Sequence, residues 1–524
     1  MPIRMRPDDQ GPERRPNQPN QPDQSSRPTA GGKLPMWALI AGILAIIKKP
    51  QWTVPILVIF AVVYFYGCPS AEDLLGDLPY EYQAENQAYS FGAEFDQQKY
   101  DQSMVFEPLA VGSTTIPSSV SLEQYTPRIL HQGSQGSCSG WACAYAARTV
   151  SYAQATGNSP DNVAFSPSFL YNQIALPRCQ GAYLKDAMDA MQRVGSLPFK
   201  DFGYTDQTCQ IYPDRADQGD ASRYRIKGYT RLTQGANRYG TNINAVKQHL
   251  AQGSPVIIGA MVGQSFQHGM IGKDVWYPTR SEYAGQNLGG HAMCVVGYDD
   301  RKAGGAFRVM NSWGERWGDQ GYVWIRYDDF QRFVQEAYAP YPEGRADSRA
   351  EKSFQARFAL VDNASNQAIP LRQTGEISFA TERPIPKGTA FKMAITNNTP
   401  AYIYLFGMET NGSAYTLFPY SSKHSPYCGI TGTRVFPRDF SLVPDDIGNT
   451  DYFAIVLSKK PLEYEQIKDQ MNRSRQSSFM MRMVETMAND FIPGCDFSVD
   501  GTVGLDCDTQ GKDVLGMIVK IDKI

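Results

Sequence analysis

A thiol attacks a carbonyl usefully only as thiolate, and one cysteine of this 524-residue chain stands where a thiolate would be favoured. Cys138 lies in "HQGSQGSCSGWACAYAARTV", behind Gly133, Ser134, Gly136 and Ser137 and at the first turn of a run that reads as helix. Unpaired N–H groups and the macrodipole at such a turn stabilise an anion, so the spacing predicts a lowered thiol pKa. An imidazole must then reach the sulfur, and the chain has five histidines. His291 heads a predicted strand in "LGGHAMCVVGYDD", and Asn311 ends another in "FRVMNSWGERWGDQGYVWI", twenty residues on (311 − 291 = 20). An asparagine carbonyl can accept the second ring N–H of a histidine and fix its tautomer. Gln132 lies six residues before Cys138 (138 − 132 = 6) and can aim its amide at a developing oxyanion, with the Cys138 backbone N–H as second donor. Such a set forms an acyl intermediate on sulfur and protonates a leaving amine.

These residues need rigid supports. Apolar residues at helical spacing predict helices over 138–154, 184–194 and 244–252, and β-branched or aromatic runs predict strands over 255–262, 292–298, 306–311 and 321–327. Helices and strands alternate irregularly from 116 to 342, which points to an α+β domain. Taken alone, a cysteine before a helix is more often a buried small hydrophobe; the matching contexts of His291 and Asn311 outweigh that reading. Cys143 and Cys294 have apolar neighbours and read as core, and His131, His249, His268 and His424 as surface or structural. No CxxC pair or histidine cluster indicates a metal, and no cofactor is expected.

The blocks "QGSQGSCSGWA", "GGHAMCVVGYD" and "NSWGERWGDQGYVWI" resemble, in order, the three active-site blocks of bacterial-type papain-like (C1) cysteine peptidases. The Cys138 to His291 separation (291 − 138 = 153) lies slightly above the roughly 130 to 150 of that family. The resemblance covers about 116–342 and implies a two-lobed fold, a helical lobe beside a β-barrel-like one. It implies Cys138 as nucleophile, His291 as acid and base, Asn311 as orienter, Gln132 as oxyanion donor and Trp313 as the indole shielding the His–Asn bond. Gly181, in "CQGAY", would line the substrate cleft. Gln135 and Ser139 stand where the family signature has cysteine and an aromatic residue. Peptide-bond hydrolysis is the expected reaction, with protein or peptide substrates. The alternatives are acyl or peptide transfer by the same triad and an inactive peptidase-fold scaffold.

The flanks carry other expectations. Residues 1–33 are polar and proline-rich and read as a disordered tail. The apolar runs 34–47 and 54–67 predict a membrane anchor over 34–68, oriented with the N-terminus in the cytoplasm and the catalytic domain periplasmic or extracellular. Gly67 before Cys68 also resembles a lipoprotein cleavage site, although Phe65 and Tyr66 fit it poorly. Residues 69–115 read as a spacer or short pro-segment without the long inhibitory helix of lysosomal relatives, and 343–352 as a linker. A net charge of −3 without a basic aromatic stripe argues against nucleic acid. Nine cysteines are too few for a disulfide scaffold; Cys179 with Cys209 and Cys495 with Cys507 are possible bridges. From 353 to 524, short apolar runs and an Asn-Gly turn predict a small β-sandwich with one helix near 464–487. This region resembles an uncharacterised β-domain found behind bacterial peptidases, and a protein or glycan is its expected partner.

Overall fold

In a computed structural model the chain is described at residues 3–7, 82–83, 89–110, 116–232, 241–341 and 352–524. The apolar runs 34–47 and 54–67, Cys68 and all but the last residue of the 343–352 linker lie outside these. No helix among the described residues is long and apolar enough to cross a membrane.

The helix bearing Cys138 runs as three consecutive pieces, Cys138–Gly140, a π-helical Trp141–Arg148 and Thr149–Thr156, ending at Gly157 in the left-handed region (φ 73°). Every residue from Trp141 to Arg148 is buried, as expected of a stretch rich in small and apolar residues on all faces. It packs between the helices Pro167–Ile174 and Leu184–Arg193 on one side and the strands Val256–Val262 and Gly289–Asp299 on the other. Those strands belong to an antiparallel sheet ordered Tyr322–Arg326, Ala306–Met310, Gly289–Asp299, Val256–Val262, Val334–Pro340, Tyr229–Arg231, with Ser119–Ser121 also paired to Gly289–Asp299. The predicted α+β arrangement of a helical part against a sheet is therefore present. Predicted elements agree to within a few residues: Leu184–Arg193, Ile243–Ala251, Val256–Val262 and Ala306–Met310.

The C-terminal domain is a sandwich of two sheets. Phe391–Asn397 alternates buried and half-buried residues, the pattern of a strand with one covered face. Ala401–Met408 is a continuous apolar run because both its faces are covered. Ile403 and Leu405 enter the inter-sheet core, while Tyr402, Tyr404 and Phe406 meet Met471, Phe479 and Met483 from outside. Those outer residues sit on two helices, Tyr464–Arg473 and Phe479–Met487, where one was expected. Ser474 takes an extended conformation (φ −61°, ψ 141°), and the Ser478 hydroxyl caps the second helix by accepting from Met481 N–H. The Asn411-Gly412 turn joins Ala401–Met408 to Ala414–Phe418 as predicted. Both expected disulfides are present, and Cys143 and Cys294 are buried free thiols.

Of residues 1–33, expected to form a disordered tail, only 3–7 are described, and Ile3–Pro7 forms a strand antiparallel to Phe440–Pro444 at the end of a sandwich sheet. The sheet edge supplies backbone hydrogen-bonding partners that composition does not reveal. Residues 3–7 and the C-terminal domain are thus side by side.

Candidate active site

The turn before Cys138 is fastened to the strand end that carries Asn311. Gln132 N–H donates to Ser312 O (2.8 Å), and Ser312 Oγ donates to Gln132 Oε1 (2.7 Å), which fixes the amide with its nitrogen turned the other way. Tyr204 Oη donates to Gln132 O (2.5 Å) and shares a 2.7 Å hydrogen bond with Ser137 Oγ. Gln135 and Ser139, the departures from the resemblance, are 4 % and 0 % exposed, so this turn is packed rather than loosened.

Across from it, the bulged end of Ala306–Met310 against Gly289–Asp299 brings Asn311 to His291. His291 Nε2 lies 2.7 Å from Asn311 Oδ1, so the ring N–H is placed on Nε2, and Nδ1 has no hydrogen-bond partner among the described residues. The next amide, Ala292 N–H, donates to Cys138 Sγ (3.4 Å). Trp313 stacks on the His291 ring with centroids 4.2 Å apart and planes 23° apart. Cys138, His291, Asn311, Gln132 and Trp313 therefore meet at one place although the chain spreads them over 182 positions (313 − 132 = 181 steps).

The sequence did not reveal what else is there. Residues 89–95 thread the cleft between Gly181 on one wall and Gly290 on the other. Gln132 Nε2, which would meet an oxyanion, donates instead to Ser90 O (3.1 Å) and to Gln135 O (2.9 Å), and Trp313 Nε1 also donates to Ser90 O (3.2 Å). Gly92 N–H donates to Gly290 O (3.0 Å) and Gly92 O accepts from Ala182 N–H (2.9 Å). Ala93–Glu94 then runs parallel to Ala182–Tyr183. Gly181 lines the cleft as expected, since a Cβ there would lie 2.6 Å from Gly92 O, but the hydrogen bond to the segment comes from Ala182. A Cβ on Gly92 would fall 2.1 Å from Gly136 O, and one on Gly290 1.9 Å from Ala93 O, so this threading requires glycine at both positions. Phe95 continues past Gly290 to reach Gly259 and Leu184.

Burial opposes the expected thiolate. Cys138 and His291 are both fully buried. Desolvation pushes the Cys138 thiol up to about 12, against smaller opposing contributions from the amides of Ala292, Ser139 and Cys138 itself. Burial likewise holds His291 down to about 4, although the Asn311 hydrogen bond favours its charged form. Both shifts favour the uncharged thiol and the uncharged imidazole. The helix start does supply the stabilising amides that the sequence predicts; exclusion of water outweighs them.

A cysteine at a helix start, beside a strand-borne histidine tied to an asparagine, in a cleft between helices and an antiparallel sheet, defines a thiol-peptidase type of domain. Comparison with known families agrees: residues 116–341 match the papain family of cysteine proteases and 385–461 a domain of unknown function, DUF4384. The chain thus carries a papain family domain followed by a DUF4384 domain. An uncharacterized peptidase C1-like protein of Acanthamoeba polyphaga mimivirus is 28 % identical over 210 residues, covering 38 % of this chain and 64 % of that protein. Cathepsin K of Mus musculus is 26 % identical over 215 residues, covering 40 % and 59 %. The chain thus spans less than two thirds of the length of these relatives. Among solved structures, xylellain, a cysteine protease from Xylella fastidiosa, aligns with TM-score 0.40 and 23 % identity over 50 % of this chain and 98 % of its own.

Proposed function

We propose that the chain is a cysteine endopeptidase held latent by its own residues 89–95. The observation that carries this reading is the joining of His291 to Asn311 at 2.7 Å beside a Cys138 sulfur that already accepts the neighbouring Ala292 amide. With the segment out, water and substrate replace it and the desolvation that keeps both groups neutral is relieved. A proton then passes from Cys138 to His291 Nδ1, the nitrogen left free by the Asn311 bond, and the thiolate attacks the substrate carbonyl. The oxygen of the tetrahedral intermediate takes the place of Ser90 O on Gln132 Nε2. His291 gives its proton to the leaving amine, and water later releases the acyl group from sulfur. Protein or peptide substrates follow from the resemblance of the cleft occupant to an extended peptide, bound through backbone at Gly92.

A thiol-directed epoxide tests the assignment. Full-length chain from which residues 89–95 have been displaced should form one covalent adduct, at Cys138 by peptide mapping. Adducts on other thiols with none on Cys138 would refute it.

For localisation, we propose that 34–67 enters a bilayer without a net crossing, leaving both ends of the chain outside the cytoplasm together or inside it together. Each apolar run is about 14 residues, short of the roughly 20 needed to span, and the pairing of Ile3–Pro7 with Phe440–Pro444 supports ends on one side. Reporters fused before residue 3 and after residue 80 should respond on the same side; opposite responses would restore the single-span topology.

A further inference from the structure

Thirteen residues after Gly92 (105 − 92 = 13) the chain becomes a strap held between the papain family domain and the C-terminal sandwich. Its backbone groups alternate between the two. Met104 O accepts from Arg231 N–H (2.9 Å) and Phe106 N–H donates to Arg231 O (3.1 Å), extending the edge strand Tyr229–Arg231. Val105 faces the other way: its N–H donates to Lys423 O (2.6 Å) and its carbonyl accepts from Ser425 N–H (3.0 Å). Further along, Glu107 O accepts from Arg434 Nε (2.9 Å) and Ala110 N–H donates to Thr433 O (2.8 Å), while Leu109 exchanges hydrogen bonds with the Gln248 side chain.

The side chains make the same sandwich. Phe106, Glu107 and Leu109 are buried, and Phe106 packs on His249 with ring centroids 4.4 Å apart. Arg434, fully buried, reaches Glu107 O, Asn397 Oδ1 (2.7 Å) and Ile430 O (3.1 Å), so one side chain of the sandwich ties its own sheet to the strap. The Glu107 carboxyl is 1 % exposed, has no hydrogen-bond partner among the described residues, and faces Arg434, Arg438 and Asp439 of the sandwich. Burial penalises the charged form of that carboxyl, and Arg438 and Arg434 oppose the penalty.

We infer that the DUF4384 domain is the latch of this peptidase: by clasping residues 104–110 it holds residues 89–95 in the cleft, and its undocking exposes Cys138. The inference rests on the latent-peptidase reading above and adds to it the part of the chain that controls latency. Between the strap and the cleft the chain is also fastened to the papain family domain, by Lys99 to Asp186 (2.7 Å) and by Asp101 to Arg231 (2.6 Å). Undocking takes Lys423, Ser425, Thr433 and Arg434 from the strap together and leaves it Arg231 and Gln248 of that domain. A run held at fewer points lets the segment leave the cleft more readily, which lowers its effective concentration there. A substrate or inhibitor then competes against a weaker occupant. Any ligand or partner that binds the sandwich better when undocked would activate the enzyme, by linkage.

Two contacts join the domains outside the cleft, the second at Ser425, whose N–H also holds Val105 O, and they allow a test. Gln252 Nε2 donates to Thr431 O and its Oε1 accepts from Thr431 N–H (both 2.6 Å), and Tyr341 stacks on Tyr427 (4.0 Å) with its hydroxyl 3.0 Å from Ser425 Oγ. In the full chain, Gln252→Ala with Tyr341→Ala should raise the rate of epoxide labelling at Cys138 about tenfold or more, and should speed deuterium uptake at both 104–110 and 89–95. Faster uptake at 104–110 and 421–434 with unchanged labelling and unchanged 89–95 would overturn the latch. If those substitutions leave the domains docked, Val105→Pro removes the bond to Lys423 O directly and is judged by the same two outcomes. Uptake at 89–95 reads the latch even if Cys138 proves unreactive when its cleft is open, so the two readings fail separately.

Discussion

The Gly92→Val chain is expected to label at Cys138 at least about 100-fold faster than wild type at pH 7, measured by intact-mass analysis with a peptidyl epoxide. The Cβ of any other residue at 92 would lie 2.1 Å from Gly136 O, well inside contact distance and against backbone that cannot rotate away. The segment must leave the cleft or break its bonds to Gly290 and Ala182. Water then reaches a thiol that burial holds at about 12. Cysteines at helix starts beside an imidazole fall to roughly 3.5–7.5 when solvated. Thiolate at pH 7 therefore rises by several powers of ten, and lower intrinsic nucleophilicity of a weaker base returns part of that gain. The pH profiles should differ in the same sense. Wild-type labelling should climb with pH toward about 12, because the proton leaves Cys138 only there while the segment is seated. The variant should level off near neutrality. Because the closed state raises this acid's pKa, it binds the proton more tightly than the open state and loses stability as pH rises above the open-state thiol value of roughly 3.5–7.5. Equal labelling rates and parallel profiles would show that the segment does not control the nucleophile.

In the same Gly92→Val background, His291→Ala is expected to lower kcat/KM on an unstructured protein substrate by about 10²–10⁴, the usual range for loss of a general acid and base. The alkaline half of the profile should be restored first, since hydroxide can ionise the thiol but nothing then protonates the leaving amine. Gln132→Ala should cost about 10²–10³ in kcat and leave epoxide labelling largely intact, because the oxyanion forms in carbonyl addition and not in epoxide opening. The split between labelling and turnover distinguishes an oxyanion donor from a residue that merely packs the turn. If Gln132→Ala reduces both equally, its side-chain bond to Ser312 is its whole contribution.

Why was the site legible when its regulation was not? Cys138, His291 and Asn311 each sit at the junction of a periodic element with a glycine- or serine-marked turn, and local pattern fixes such junctions. The strand over Ala401–Met408 was equally plain, because a both-faced apolar run has few other uses. The break between Tyr464–Arg473 and Phe479–Met487 was missed since "SRQSS" contains no proline or glycine. Residues 89–95 gave less still. "YSFGAEF" alternates apolar with small or polar residues as an extended strand does, but nothing in it says which walls it lies between.

Local chemistry in the sequence thus determined which groups meet: the helix that begins at Cys138, the strand that begins near His291, the strand end that offers Asn311, and the amide of Gln132. The tertiary structure decided their state. Whether a thiol at a helix start is anionic depends on how much water reaches it, and that depends on Gly92 passing Gly136 and on what holds Gly92 there. Proton affinity, cleft occupancy and the clasp at Val105 all arise from contacts between residues far apart in the chain, for which a sequence carries no local signal.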